Sequence, residues 1–322
     1  MKAASRALAI AGAVISVCLG PAFGQAYPNR PVTVVVPFGA GSATDSGARM
    51  LAAHLDSALN QRFVVENKPG AGGTLAASFV ARAEPDGYTL LLTTNTTHSA
   101  AQALFKNVPY DPLKDFTAVA RVGSFPSMVI ASPDAPFKSI KELVAYAKAH
   151  PGKVEYAHGN STGQVAGETL KRRTGIDLVR VPYRSNPPAV LDVATGRVSA
   201  MVADFTTALP QVRDGKVRAL AVLTKTRSTI VPDVVTLHET VAPDFDLLAW
   251  AGLFGPANLP PDVVNTLSRE VKNFVSNPEN RAKLEANGIE TFYLGPAEFK
   301  TYVADELVKW TAAIKDAGIE PQ

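Results

Sequence analysis

Two short apolar runs, one in each half of the chain, each break into a Gly/Ser/Thr turn followed by helix-forming sequence. The first is Val32-Thr-Val-Val-Val36, then Pro37-Phe-Gly-Ala-Gly-Ser-Ala-Thr-Asp45. The second is Val154-Glu-Tyr-Ala-His158, then Gly159-Asn-Ser-Thr-Gly163. A strand must be buried on a sheet to carry such a run, and the turn must deliver the chain into a crossing helix. The first N–H groups of a helix lack intrahelical partners and sit at the positive end of its dipole. Each turn therefore predicts an anion-binding element that needs no Lys or Arg. Two of them facing across a cleft predict a carboxylate site.

The chain begins with a basic Met1–Arg6 segment, an apolar stretch from Ala7 to Leu19, and small residues at Ala22, Gly24 and Ala26. This predicts a secretory signal peptide over residues 1–26, cleaved after Gly24 or Ala26, and too short to span a membrane. The only cysteine, Cys18, lies inside it, so the mature protein has no thiol and no disulfide. Cleavage after Gly24 removes Lys2 and Arg6 and no acid, leaving 322 − 24 = 298 residues with near-balanced charge (30 Lys and Arg against 29 Asp and Glu), long enough for two ordinary domains. No basic cluster with interleaved aromatics is present, so no nucleic-acid partner is expected.

Strand and helix patterns alternate along the rest. Strands are predicted at Val32–Val36, Phe63–Glu66, Tyr88–Thr93, Val154–Ala157, Leu178–Pro182, Ala200–Ala203 and Arg218–Leu223. Helices are predicted at Ser46–Leu59, Thr74–Arg82, Ser139–His150, Gln164–Thr174 and Pro188–Ala194, and beyond Phe254 the rest reads as helical, at Pro261–Ser276, Pro278–Ala286 and Pro296–Ala317. The class is α/β with mostly parallel sheets flanked by helices. Long extended stretches at Val119–Ala131 and Leu247–Phe254 suit two crossings between domains. Residues 27–125 with 249–322 then form one domain and residues 126–248 an inserted second, hinged near Phe125-Pro126 and Ala249-Trp250.

At this point the chain resembles a known family, the tripartite tricarboxylate transporter solute receptors, or Bug-type periplasmic binding proteins. The matching stretches include Tyr27-Pro-Asn-Arg-Pro-Val-Thr-Val-Val-Val-Pro-Phe38, Val65-Glu-Asn-Lys-Pro-Gly-Ala-Gly-Gly73, Ala83-Glu-Pro-Asp-Gly-Tyr-Thr-Leu-Leu91, Val181-Pro-Tyr183, the run from Ala208 to Val222, and Trp250-Ala-Gly-Leu-Phe-Gly-Pro256. The resemblance implies a periplasmic-binding-protein fold of type II, a two-domain Venus flytrap. It also implies capture of a small carboxylate (a di- or tricarboxylate, an acidic amino acid or an aromatic acid) and delivery to the permease subunits of a membrane transporter, with no cofactor. The implied ligand-binding positions are Phe38, Gly39, Ala40, Gly41, Ser42, Thr44 and Asp45 in the first turn, and Gly159, Asn160, Ser161, Thr162 and Gly163 in the second. Asn95 and Thr96 follow the third strand, and Tyr183, Arg184, Asp204 and Phe205 complete the wall. Where the family commonly has Lys-Gly after the tyrosine, this chain has Arg184-Ser185.

Plainer roles compete at several of these positions. Ser42 and Thr44 suit helix capping as well as ligand contact, and Asp45 suits a first-turn acid stabilising the dipole. Arg184 suits either a bidentate carboxylate partner or a surface cation. Pro69-Gly-Ala-Gly-Gly73 lacks the Gly-Lys-Ser/Thr of a nucleotide loop and reads as a tight turn. His54, His98, His150, His158 and His238 show no metal-ligand spacing. One rival function stands. Gly159-Asn-Ser161-Thr-Gly163 fits the G-x-S-x-G nucleophile turn, and Asp204 or Asp233 followed by His238 supplies triad order, as in a secreted serine esterase.

Overall fold

The computed structural model describes residues 27–322; the signal peptide expected over residues 1–26 lies outside the described residues. In chain order the elements are β1 (Val32–Val36), α1 (Ala43–Leu59), β2 (Phe63–Asn67), α2 (Thr74–Ala81), β3 (Thr89–Thr94), α3 (Ala101–Leu104), β4 (Phe116–Phe125), β5 (Ser127–Ala131), α4 (Ile140–Ala149), β6 (Val154–His158) and α5 (Ser161–Thr174). There follow β7 (Leu178–Pro182), α6 (Asn186–Ala194), β8 (Ala200–Asp204), α7 (Phe205–Arg213), β9 (Arg218–Val222), β10 (Ala249–Pro256), α8 (Pro261–Ser276), α9 (Pro278–Ala286), β11 (Glu290–Leu294) and α10 (Pro296–Asp316).

The strands form two sheets, ordered β11-β4-β10-β3-β1-β2 and β7-β6-β8-β5-β9. The two turns predicted to bind an anion leave strands with parallel neighbours: β1 pairs in parallel with β2 and β3, and β6 with β7 and β8. The remaining pairings, through β4, β5 and β10, are antiparallel. The sheets are therefore mixed rather than mostly parallel. Strands joined by βαβ crossovers run alike, whereas the strands at which the chain passes between the sheets return the other way.

The long extended stretch at Val119–Ala131 is two strands in different sheets, β4 and β5, broken at Pro126. Proline has no N–H to continue a ladder. Beyond Phe254 the chain is not all helical: Glu-Thr-Phe-Tyr-Leu at β11 joins the edge of the first sheet beside β4. Those five residues hold a β-branched residue and two aromatics, a local preference masked by the helices on either side. Helix α7 contains Pro210 and was not legible as a helix for that reason.

The cores follow the sheets. Val34, Leu51, Leu55 and Leu90 lie in one apolar cluster with β10 and α8, and Val35, Leu91, Trp250, Phe254 and Phe299 in another. Val129, Tyr156, Val165, Leu170 and Val202 form the main cluster at the second sheet. Trp310 and Ile314 of α10 belong to that second cluster, as do Ala100 and Leu104, although Phe299 and Val303 of the same helix pack with Trp250 and Phe254. One helix thus supplies side chains to the cores of both sheets.

Candidate functional site

Both turns open helices earlier than the sequence suggests, because their polar residues are caps. Ser42 holds an extended backbone and its Oγ accepts from Asp45 N, so α1 starts at Ala43 and not at Ser46. Asn160 does the same for α5, its Oδ1 accepting from Gly163 N at 2.9 Å. Asp204 caps α7, accepting from Thr207 N at 2.9 Å. Asn95 and Thr96 do not lie in a loop. They open a π-helical turn, Thr96–Ala100, that runs directly into α3. That turn is anchored by Tyr110, whose hydroxyl donates to Thr97 O at 2.9 Å, and by His98, stacked 4.0 Å from the Phe254 ring.

The elements meet across the gap between the sheets. Asn95 Nδ2 donates to Thr162 Oγ1 at 3.1 Å and to Ser161 Oγ at 3.3 Å, and Thr96 Oγ1 lies 2.9 Å from Ser161 Oγ. Beside these contacts are two adjoining cavities that share Phe38, Thr96, Gly159 and Asn160. The inner one, about 20 Å³, is bounded by Ser42, Thr44, Asn95, Thr162, Asn186 and Asp204, and is the size of a water or a carboxylate oxygen. The outer one, about 270 Å³, is bounded by Ser161, Gln164, Tyr183, Arg184, Phe105 and the Gly70–Gly73 turn.

Of the positions expected in the site, Phe38, Ser42, Thr44, Asn95, Thr96, Gly159, Asn160, Ser161, Thr162, Tyr183, Arg184 and Asp204 border one cavity or both. Gly39, Ala40, Gly41, Asp45, Gly163 and Phe205 border neither. Asp45 is buried with its carboxylate turned to Gly41 N, Arg49 and Asn67 Nδ2. Burial alone would raise its pKa, but those hydrogen bonds outweigh it and hold the carboxyl below the ordinary range. Phe205 is fully buried against the second sheet, since α7 begins at that residue. Asp204 shows the opposite balance. Its burial outweighs the hydrogen bonds from Thr207 and Asn186 and pushes its pKa up.

Several bordering residues carry no local sequence signal. Leu104, Phe105 and Gln322 arrive through tertiary packing, Gln322 N donating to Leu104 O at 2.9 Å. The Gly70–Gly73 turn, expected only to shape the chain, borders the outer cavity. Its four residues all take positive φ. At Gly72 a side chain would also meet the Phe105 ring 2.4 Å away, so glycine is needed for both reasons. Asn186 was legible in principle, as a capping-type residue just after Ser185 and before Pro187-Pro188.

The esterase arrangement is not formed. The partners of Ser161 Oγ are Asn95 and Thr96, and no imidazole is among them. His238 Nδ1 instead accepts from Asp244 N, and Asp204 is engaged by Thr207 and Asn186. A nucleophile without a base within reach is not activated.

Two histidines near the site are buried and held neutral. Burial depresses His98 to about 3, and burial with the nearby Arg180 charge depresses His158 to about 4. Both lie below the unfolded value of about 6.5. Between those values the unfolded chain binds protons that the folded one refuses, so stability is full above about pH 6.5 and falls as pH drops. Each histidine adds a slope of about 1.4 kcal/mol per pH unit. Urea unfolding from pH 7.5 to 5 is expected to show this loss, with His158→Gln reducing the slope by about one proton. An unchanged slope in that variant would refute the assignment.

The chain matches the family described as "Tripartite tricarboxylate transporter family receptor" over residues 47–319. It is 32% identical over 319 residues to the protein BugT of Bordetella pertussis, covering 98% of each chain. Among solved structures, the R. palustris protein Rpa4515 with adipate is 32% identical, with a TM-score of 0.90 over 92% of this chain and 100% of that one. MatC from Rhodopseudomonas palustris with bound malate is 35% identical, with a TM-score of 0.85 over 89% and 100%. The periplasmic binding protein BugD is 34% identical, with a TM-score of 0.88 over 92% and 100%. With its two capped turns meeting across the gap between two mixed sheets, and with these matches along nearly its whole described length, the chain belongs to the tripartite tricarboxylate transporter receptor family.

Proposed function

We propose that this receptor captures a small organic carboxylate between two lobes and passes it to the permease subunits of a tripartite transporter, after export by its leader to the periplasm. The lobes are residues 27–125 with 249–322, and residues 126–248. The observation that carries the reading is the inner cavity, where the capped starts of α1, α5 and α7 converge and, among the described residues, no Lys or Arg is at its border. A carboxylate there gains charge-assisted hydrogen bonds from oriented N–H groups and hydroxyls without the desolvation of a partner cation. Adipate and malate in the two R. palustris relatives are consistent with that chemistry.

The test is thermal unfolding of protein first stripped of carried-over ligand by unfolding and refolding. The panel spans monoacids, diacids, citrate, acidic amino acids and aromatic acids. A ligand at a hundredfold excess over Kd should add about 2.7 kcal/mol, and so raise Tm by several degrees. A panel in which no acid moves Tm would refute the proposal. Saturating ligand should also reduce the radius of gyration in solution scattering, because the hinge at Phe125-Pro126 and Ala249-Trp250 closes on it.

A further inference from the structure

The outer cavity differs from the inner one in a way that narrows the ligand. Its polar border includes Thr96, which it shares with the inner cavity, and Ser161 and Gln164. Its walls include Phe38, Phe105 and Tyr183. Tyr183 offers ring surface only, because its hydroxyl is already bonded to Asp192 Oδ2 at 2.6 Å. Among the described residues no Asp, Glu or Lys borders this cavity, and the one charged side chain there is Arg184. Arg184 is exposed at the rim, and among the described residues no hydrogen bond or ion pair engages its guanidinium. Two arginines in connections next to the second sheet's strands are paired, Arg197 with Asp192 and Arg227 with Glu239.

We infer that Arg184 is the specificity-determining residue for a second carboxylate, and that the preferred ligand is a dicarboxylate with an unsubstituted apolar spacer. The inference rests on the carboxylate-receptor reading above. One carboxylate sits at the helix starts, the spacer lies between the ring walls, and the far carboxylate takes the bidentate fork that a guanidinium presents. An ammonium on the spacer finds no free acidic side chain. Among the described residues no Asp or Glu borders the outer cavity, and both oxygens of Asp204 are committed, to Thr207 and to Asn186. Hydroxyls on the part of the spacer that lies between the rings meet aromatic surface where they need acceptors.

Calorimetric titration of the stripped full-length mature protein with matched pairs tests this: adipate against hexanoate, and terephthalate against 4-methylbenzoate. In at least one pair the diacid should bind about tenfold tighter or more, the margin of a charge-assisted pair. Arg184→Gln should abolish that preference while shifting the monoacid Kd less than about twofold, and Arg184→Lys should keep part of it. Glutamate and citrate should bind more weakly than the preferred diacid. A preference that survives Arg184→Gln, or a variant that loses monoacid and diacid equally, overturns the assignment. Monoacid binding with no diacid preference overturns it too but leaves the receptor reading intact. If no acid binds the wild type, the receptor reading itself falls.

Discussion

Trp310→Ala is expected to cost roughly 3–5 kcal/mol, the range for removing a buried tryptophan from a packed core. Trp310 is buried in the second sheet's cluster with Ile314, and its indole Nε1 donates to Glu306 Oε2 at 3.0 Å. Glu306 is itself buried, so the truncation also strips one hydrogen-bond donor from a carboxylate that keeps Lys309 and the nearby Arg121 charge. Tm should fall by roughly 10 °C as one transition. Because α10 also packs Phe299 and Val303 with Trp250 and Phe254, the first sheet should melt with the second. Calorimetry decides. A second transition left at the wild-type Tm would mean that the helix serves one sheet only.

The second large effect is on binding. Gly159→Ala should weaken carboxylate affinity at least a hundredfold, a loss of about 2.7 kcal/mol or more, and cost about 1–3 kcal/mol of stability. A Cβ at Gly159 would lie 2.2 Å from the Ser185 carbonyl carbon and 2.4 Å from Asn186 N. Those are backbone atoms, so no rotamer change relieves the clash. The turn before α6 must retreat, and it carries Asn186, whose amide donates to Asp204. Two borders of the inner cavity then move together. Titration with the best diacid measures the loss, and circular dichroism checks that the helices persist. Unchanged affinity would show that the two turns need not touch for binding.

Elements with local chemical marks were legible. Helices α8 and α9 begin where read, at Pro261 and Pro278, because proline suits a first helical position and little else in a helix. β1 was bounded by Val32 and Val36 for an equally local reason, an unbroken apolar run ended by Pro37. The caps were read as possible ligand groups, and Ser42 and Asn160 do both things a small polar residue can do there: they cap, and they border the cavity. Asp45 shows where local reading stops. Its carboxylate is claimed by Asn67, on a strand 22 residues away in the chain, which no nearby residue announces. The outer cavity is similar, since Phe105 and Gln322 reach it through long-range contacts. Mixed strand directions also escaped, because an apolar run reads alike whichever way its neighbour points.

The reach of α10 into both cores also bears on the order of synthesis. Trp310 and Ile314 are contributed by the closing turns of the chain, yet they complete a core whose first strand, β5, begins at Ser127. A nascent chain lacking them carries an unfilled apolar surface on the second sheet and cannot settle into its final packing. Folding to completion is therefore deferred until the ribosome has released almost the whole polypeptide. If, as proposed, the receptor is exported through a leader, that delay keeps it fit for translocation.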